Sequence, residues 1–360
     1  PDYSHRGWAM RRKTKEIKIG GLKIGGDAPI TVQSMTNTDT RDAVSTVNQI
    51  HRLEQAGCDL VRVAVVDREA GLTLGRIKKQ IRIPLVADIH FDYRLALLAI
   101  EQGVDKLRIN PGNIGSPDRV KAIVRAAKDA GIPIRVGANA GSLATWAADR
   151  FGNTPKALAE SALEQIRILE DLGFSDIVVS LKASSVPFTI EAYRIMAGLV
   201  DYPFHVGITE AGTAWFGSIK SAAGIGVLLA EGIGDTIRVS LTGDPVEEVK
   251  VGWAILKSLE LRSRGPVFIS CPTCGRTKID LERIAAEVER RLSHLTKPIK
   301  IAVMGCEVNG PGEARDADLG IAGGSGVGLI FRKGKIIRKI KEEELVDALV
   351  EEALKLEQEL

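Results

Sequence analysis

LVADIHFDYRLALLAIEQGVDKLRIN, residues 85–110, is the stretch whose reading decides the fold. An apolar run at 85–89 reads as a strand, 93–102 as a helix, and 106–109 as the next strand. Gly103 stands between helix and strand, where glycine accepts the left-handed conformation of a helix C-cap. The same beat continues on both sides. Strands are expected at 30–34, 60–65, 134–137, 177–181, 205–208 and 236–240, with helices at 43–56, 119–130, 155–172 and 245–261. Gly57, Gly131 and Gly173 end helices as Gly103 does. Eight strand–helix units in about 240 residues make an α/β chain with a (β/α)8 TIM barrel. A doubly wound open sheet is the alternative, but no dinucleotide fingerprint follows the first strand. A glycine-rich near-repeat at 18–26 ahead of the barrel reads as a hairpin.

Composition narrows the function classes. The 360 residues are 44% hydrophobic and 26% charged, an ordinary globular balance. A net charge of +3 and 4% aromatics argue against nucleic acid as a partner. No apolar run approaches the roughly 18 residues of a membrane span. Four cysteines do not form a disulfide scaffold, and a cysteine cluster calls for a reducing compartment, so the chain is expected in the cytoplasm. Residues 1–9 precede Met10 without pattern and read as an expression scar.

In a barrel of this kind function gathers at the C-terminal strand ends. Those ends carry Arg62, Asp88 and His90, Arg108 and Asn110, Arg135 and Asn139, Lys182, Thr209 and Glu210, and Arg238 and Ser240. Residues two apart on a strand share a face, so Asp88/His90, Arg108/Asn110 and Arg238/Ser240 point together into the mouth. Their neighbours Ile89, Ile109, Ile237 and Val239 then face the helices. Five cations, Arg62, Arg108, Arg135, Lys182 and Arg238, stand against Asp88, Glu210 and Asp67. Crowded cations repel unless an anion fills the site, and arginine suits phosphate oxygens. A substrate with two phosphates or a diphosphate is the expected guest. Lys182 has a second reading as a Schiff-base lysine. Glu210 is the candidate acid–base residue, with a salt bridge to one of the arginines as its plainer role.

Beyond a linker at 262–266 the pattern changes to a small α+β domain over 266–360. Strands are expected at 267–269, 300–303, 318–321, 328–332 and 335–340, with helices at 281–292 and 342–360. SCPTCG at 270–275 and MGCEVNGPGE at 304–313 bring Cys271, Cys274 and Cys306 onto turns of this domain. Three sulfurs are one short of a closed zinc site and suit an iron–sulfur cluster with one iron free of cysteine. Glu307 and Glu313 are both candidates for a fourth ligand; a structural zinc or a redox C-x-x-C pair are the competing readings. Cys58 reads as core, His51 and His294 as solvated, and the glycine-rich 323–328 as a turn rather than a phosphate loop.

Assembly follows from length. The helix at 245–261 runs back along the barrel by about 25 Å, away from the mouth. A five-residue linker spans at most about 17 Å, so the cluster at a given mouth is expected from a second subunit. That predicts a head-to-tail homodimer with composite sites.

Six segments in order, VQSMTNTDT (32–40), ADIHFD (87–92), RINPGNIG (108–115), GITEAG (207–212), SCPTCGR (270–276) and GCEVNGPGEA (305–314), resemble the hydroxymethylbutenyl diphosphate synthase (GcpE) family. The likeness runs from about Lys18 to the C-terminal helix. It implies a barrel joined to a small [4Fe–4S] domain, with Cys271, Cys274, Cys306 and Glu313 as ligands. It implies methylerythritol cyclodiphosphate as substrate, opened reductively with loss of water in the non-mevalonate isoprenoid pathway. Reduced ferredoxin or flavodoxin would supply the electrons, and Glu210 would be the proton donor. Arg62, Asp88, His90, Arg108, Asn110, Arg135, Asn139, Lys182, Arg238 and Ser240 would hold the substrate, with Thr209 beside them. The alternatives are a non-redox barrel lyase using Lys182 with a structural zinc, and a non-enzymatic iron–sulfur sensor.

Overall fold

A computed structural model describes residues 10–306 and 314–360, so the segment read as an expression scar lies outside the described residues. The chain divides into two compact units, one ending at Arg262 and the other spanning Ser263–Leu360.

The first unit opens with a hairpin, β1 (Ile17–Ile19) and β2 (Leu22–Ile24). Eight parallel strands follow: β3 (Thr31–Met35), β4 (Leu60–Ala64), β5 (Leu85–Asp88), β6 (Lys106–Arg108), β7 (Ile134–Asn139), β8 (Ile177–Lys182), β9 (His205–Val206) and β10 (Thr236–Ile237). Their order is β8-β7-β6-β5-β4-β3-β10-β9, and a bridge from Val179 to Phe204 joins the two ends into a barrel. At that seam Tyr193 donates its hydroxyl to His205 O (2.6 Å) and accepts from Leu181 N (2.9 Å). The outer ring holds α1 (Ala43–Ala56), α2 (Arg68–Lys78), α3 (Tyr93–Glu101), α4 (Pro117–Ala130), α5 (Thr145–Phe151), α6 (Pro155–Asp171), α7 (Val186–Ala197), α8 (Ala214–Ala230) and α9 (Pro245–Ser258). Local chemistry starts these helices: Asp42, Asp92, Thr154 and Asp244 accept backbone N–H groups at the caps of α1, α3, α6 and α9. Each such cap contributes about 1 kcal/mol. Gly57 ends α1 at φ 95°, a left-handed value that a side chain disfavours.

Outward-facing strand residues, including Ile89, Ile109, Ile237 and Val239, join the core between sheet and helices as the alternation required. Inside the barrel, Leu60, Val86 and Val178 form an apolar bottom layer. The hairpin caps it with Ile17, Ile19 and Ile24, all buried. The polar layers stand above.

The second unit is a five-stranded sheet, β11 (Val267–Ser270), β12 (Lys300–Met304), β13 (Leu319–Gly323), β14 (Val327–Arg332) and β15 (Lys335–Lys341), in that order. The first three strands are parallel and the last two antiparallel. Helices α10 (Leu281–Leu292) and α11 (Leu345–Glu359) bury Ile284, Val288, Leu349 and Ala353 in one core with Ile301 and Ile321. The glycine-rich 323–328 joins two antiparallel strands and is a turn.

Candidate active site

Asp88, at the end of β5, is the hub of the barrel mouth. Arg108 Nη1 on β6 lies 3.0 Å from its Oδ1, and Arg62 Nε on β4 lies 3.6 Å from its Oδ2. His90 is mostly exposed, with Nε2 3.7 Å from the same oxygen. Burial alone would raise the Asp88 carboxyl. Contact with His90 and the charges of Arg62, Arg108 and Arg135 outweigh burial and hold it well below the usual carboxylate range.

The other cations complete a ring. Arg135 on β7 is 2% exposed, and its Nε and Nη1 find no partner among the described residues. Burial, then Arg62 and Arg108, push its guanidinium down. Lys182, ending β8, is also buried; burial first and then Arg135, Arg238, Arg62 and Arg108 push its amine well down. Burial presses Arg62 to about 9 against the pull of Asp88. Arg238 reaches Glu248 on α9, Nη2 to Oε1 3.5 Å. Glu248 is fixed by Ser34 Oγ donating to Oε2 (3.0 Å) and Leu241 N donating to Oε1 (3.0 Å). Five cations thus face two buried carboxylates, Asp88 and Glu248. A doubly charged anion relieves that imbalance, and four guanidinium forks suit phosphate oxygens.

Glu248 was missed in the sequence, although it lies on the buried face of α9 with Val249 and Gly252. Asp67 was misplaced among the site acids. It caps α2 by accepting from Ala70 N and pairs with Arg41, because the helix start needs its oxygen. A second polar layer also escaped notice: Thr31, Gln33, Lys106, His205 and Thr236 are buried one step below the mouth. The parity that paired Arg108 with Asn110 also pairs it with Lys106.

Glu210 follows β9 with its side chain exposed and φ 52°, a left-handed backbone rare outside glycine. Thr209 N donates to Ala183 O (3.3 Å), tying this loop to the end of β8. Asn110 spends its carbonyl on Gly112 N (3.0 Å), shaping the loop after β6. Asn139 is exposed at the end of β7, and Ser240 is half-buried beyond β10. A cleft of about 510 Å³ opens beside Asn110, between the loops that follow β6 and β7, against Trp146 and Gln165.

In the second unit Cys271 follows β11 and Cys306 follows β12, at the same end of neighbouring parallel strands. Gly305 N donates to Cys271 Sγ (3.3 Å), and Lys278 N donates to Gly305 O (2.9 Å), holding the two loops together. Cys274 is exposed on the same loop as Cys271. Among the described residues no three potential ligands are drawn up around one point. The donor chemistry, three thiols on adjoining loops and an N–H aimed at one sulfur, fits a thiolate-held cluster. Glu307 and Glu313 lie outside the described residues. Cys58 is core: its thiol donates to Leu60 O (3.0 Å), and burial pushes it up to about 12.

Comparison with known proteins agrees with both units. Residues 14–253 match the GcpE TIM-barrel domain and residues 267–355 the GcpE protein C-terminal domain. A 4-hydroxy-3-methylbut-2-en-1-yl diphosphate synthase (flavodoxin) of Caldanaerobacter subterraneus is 62% identical over 97% of this chain and 99% of its own length. Proteins of the same name from Clostridium perfringens and Geobacter sulfurreducens are 62% and 57% identical over 94% and 96% of this chain, and 98% and 99% of their own lengths. Among solved structures, a type I 3-dehydroquinate dehydratase from Clostridium difficile matches 69% of this chain and 98% of its own at TM-score 0.50 and 12% identity, a likeness of fold alone. On the strength of both domain matches and these identities, the chain belongs to the GcpE family.

Proposed function

We propose that the barrel mouth binds 2-C-methyl-D-erythritol 2,4-cyclodiphosphate and that this chain converts it to 4-hydroxy-3-methylbut-2-enyl diphosphate. Two electrons and two protons enter, a C–O bond to the cyclic diphosphate breaks, and one water leaves. The observation that carries this reading is the ring of five buried or half-buried cations around Asp88, with Glu248 as the one other buried carboxylate paired to it among the described residues. Membership of the family does not favour the alternative, a lyase using Lys182.

The residues divide the work. Arg62, Arg108, Arg135, Lys182 and Arg238 would clasp the diphosphate, with Asp88 and Glu248 setting their angles. His90, Asn110, Asn139, Thr209 and Ser240 stand on the rim, suited to the polyol part. Glu210 would hold the proton that the departing hydroxyl needs, from a loop anchored by Thr209. Cys271, Cys274 and Cys306 would hold a [4Fe–4S] cluster, with Glu313 as fourth ligand. When bound, the cluster passes electrons singly, and a reduced flavodoxin would supply them.

We assign the mouth's cover to a second subunit, in a head-to-tail homodimer in the cytoplasm. Two observations support this. Arg262 donates to Ile30 O (2.7 Å) and pairs with Asp59, so the chain leaves the barrel at the N-terminal strand ends, away from the mouth. Phe91, Trp146, Trp215 and Phe216, which follow β5, β7 and β9, are exposed around that mouth, as suits a surface awaiting a partner. No helix among the described residues is long and apolar enough to cross a membrane.

The test is an anaerobic preparation assayed for iron, sulfide and dithionite-driven turnover of the cyclic diphosphate. About four irons and four sulfides per chain, with product formed, is the expected result. Stoichiometric zinc without sulfide, and no product, would overturn the reading.

A further inference from the structure

Lys106 is fully buried at the start of β6, on the same face as Arg108 two residues above it. Its Nζ has one acceptor in reach, Gln33 Oε1 at 3.4 Å. Among the described residues no carboxylate lies at ion-pair distance from it. The charged groups above it belong to the anion-binding ring: Arg62 on β4, Asp88 on β5, Arg108 on β6, Arg135 on β7, Lys182 on β8, and Arg238 just beyond β10 with its partner Glu248 on α9. Beside it in the lower layer are His205 on β9 and the neutral Gln33, Thr31 and Thr236. Thr236 pairs in register with both Thr31 and His205, so these side chains form one tier of the barrel. Thr31 Oγ1, Gln33 Nε2, Thr236 Oγ1 and both His205 ring nitrogens have no partner among the described residues. The tier is therefore polar and buried, and none of its members carries a fixed negative charge.

A charged amine in such a place is costly unless a negative charge comes near. Asp88 is already shared by Arg62 and Arg108. We propose that Lys106 is a positioning residue for the diphosphate, uncharged without a bound anion and protonated when one binds in the ring above. This rests on the functional reading given above. The proton comes from solvent and no other bond changes. Once charged, Lys106 adds its field from beneath and keeps the anion seated against Arg62 and Arg135. Burial, followed by Arg135 and Arg62, pushes the amine well below its ordinary value, which is the direction this requires.

The linkage has a definite sign. Binding that takes up protons weakens as pH rises, by one decade in Kd per pH unit for each proton taken up. The experiment is calorimetric titration of the holoenzyme with the cyclic diphosphate, in buffers of different ionisation enthalpy, over a range of pH. Lys106→Met should lower proton uptake by about one per site at the pH of greatest uptake and flatten the plot of log Kd against pH by the same amount. Lys106→Arg carries a permanent charge. It should also lose that uptake, while binding more tightly than Lys106→Met. Should the Met variant fail to fold by circular dichroism, the Arg variant carries the same test. A folded variant whose uptake equals that of the wild type would overturn the proposal. Absence of any binding by the wild type would instead overturn the functional reading.

Discussion

Asp88→Asn removes one negative charge from between two guanidinium groups while keeping the side chain's shape. Its oxygens lie 3.0 Å from Arg108 and 3.6 Å from Arg62. At an effective dielectric near 20 each contact is worth about 5 kcal/mol in Coulomb energy, against a desolvation cost of several kcal/mol per ion. Removing one partner of such a buried set costs about 3–5 kcal/mol, because the cations left behind stay buried. In a unit of this size that corresponds to a fall in Tm of about 10 °C. The carboxyl is held below its unfolded value, so its stabilisation is complete above the ordinary carboxylate range and is lost progressively as pH falls from that range through the lower folded value. The deficit should therefore be equal at pH 5 and pH 8 and shrink in strong acid. Thermal unfolding followed by circular dichroism, with and without inorganic pyrophosphate, measures both effects. Pyrophosphate should stabilise the variant more than the wild type, since one more cation lacks a counter-charge. An Asp88→Asn variant as stable as the wild type at pH 7 would refute Asp88 as the electrostatic hub.

Other outcomes follow from the same geometry. Arg238→Ala should raise KM for the cyclic diphosphate and leave iron content unchanged; loss of iron would make Arg238 structural. Glu210→Gln should lower kcat by about 10²-fold or more with substrate affinity retained, the cost of a missing general acid; an unchanged kcat removes Glu210 from the chemistry. Cys271→Ser should abolish bound iron and sulfide, whereas Cys58→Ala, in the barrel core, should leave both intact. Tyr193→Phe should cost about 1–3 kcal/mol in chemical denaturation, since Leu181 N and His205 O lose the hydroxyl that bridges them.

The barrel was legible because its signals are local. Glycine at 57, 103, 131 and 173 takes positive φ where helices end, and the apolar runs between them pair as parallel strands. Parity along each strand then carried Asp88, Arg108 and Arg238 into the mouth. What escaped came from other rules. Glu248 enters from α9, so it obeys a helical period and was hidden behind an ordinary acidic helix start. Lys106 and His205 open their strands rather than end them, and attention to strand ends passed over them. Helix α5, seven residues between two glycine-bounded turns, is too short to show a period of its own. Asp67 shows the reverse error: an acid near a strand end was set among the acids facing the cations when a helix cap required it. Asn110 belongs between the two, since it stands at the mouth yet gives its carbonyl to its own loop.

The hairpin at the barrel floor bears on traffic. With Ile17, Ile19 and Ile24 set against Leu60, Val86 and Val178, the interior is a vessel stoppered at one end. Whatever enters must leave by the same door. Substrate and product, both diphosphates, then queue for one passage and one ring of charges. Turnover becomes a matter of vacating the vessel as much as of filling it, and the affinity that seats the incoming ring-shaped molecule also delays the departure of the opened one.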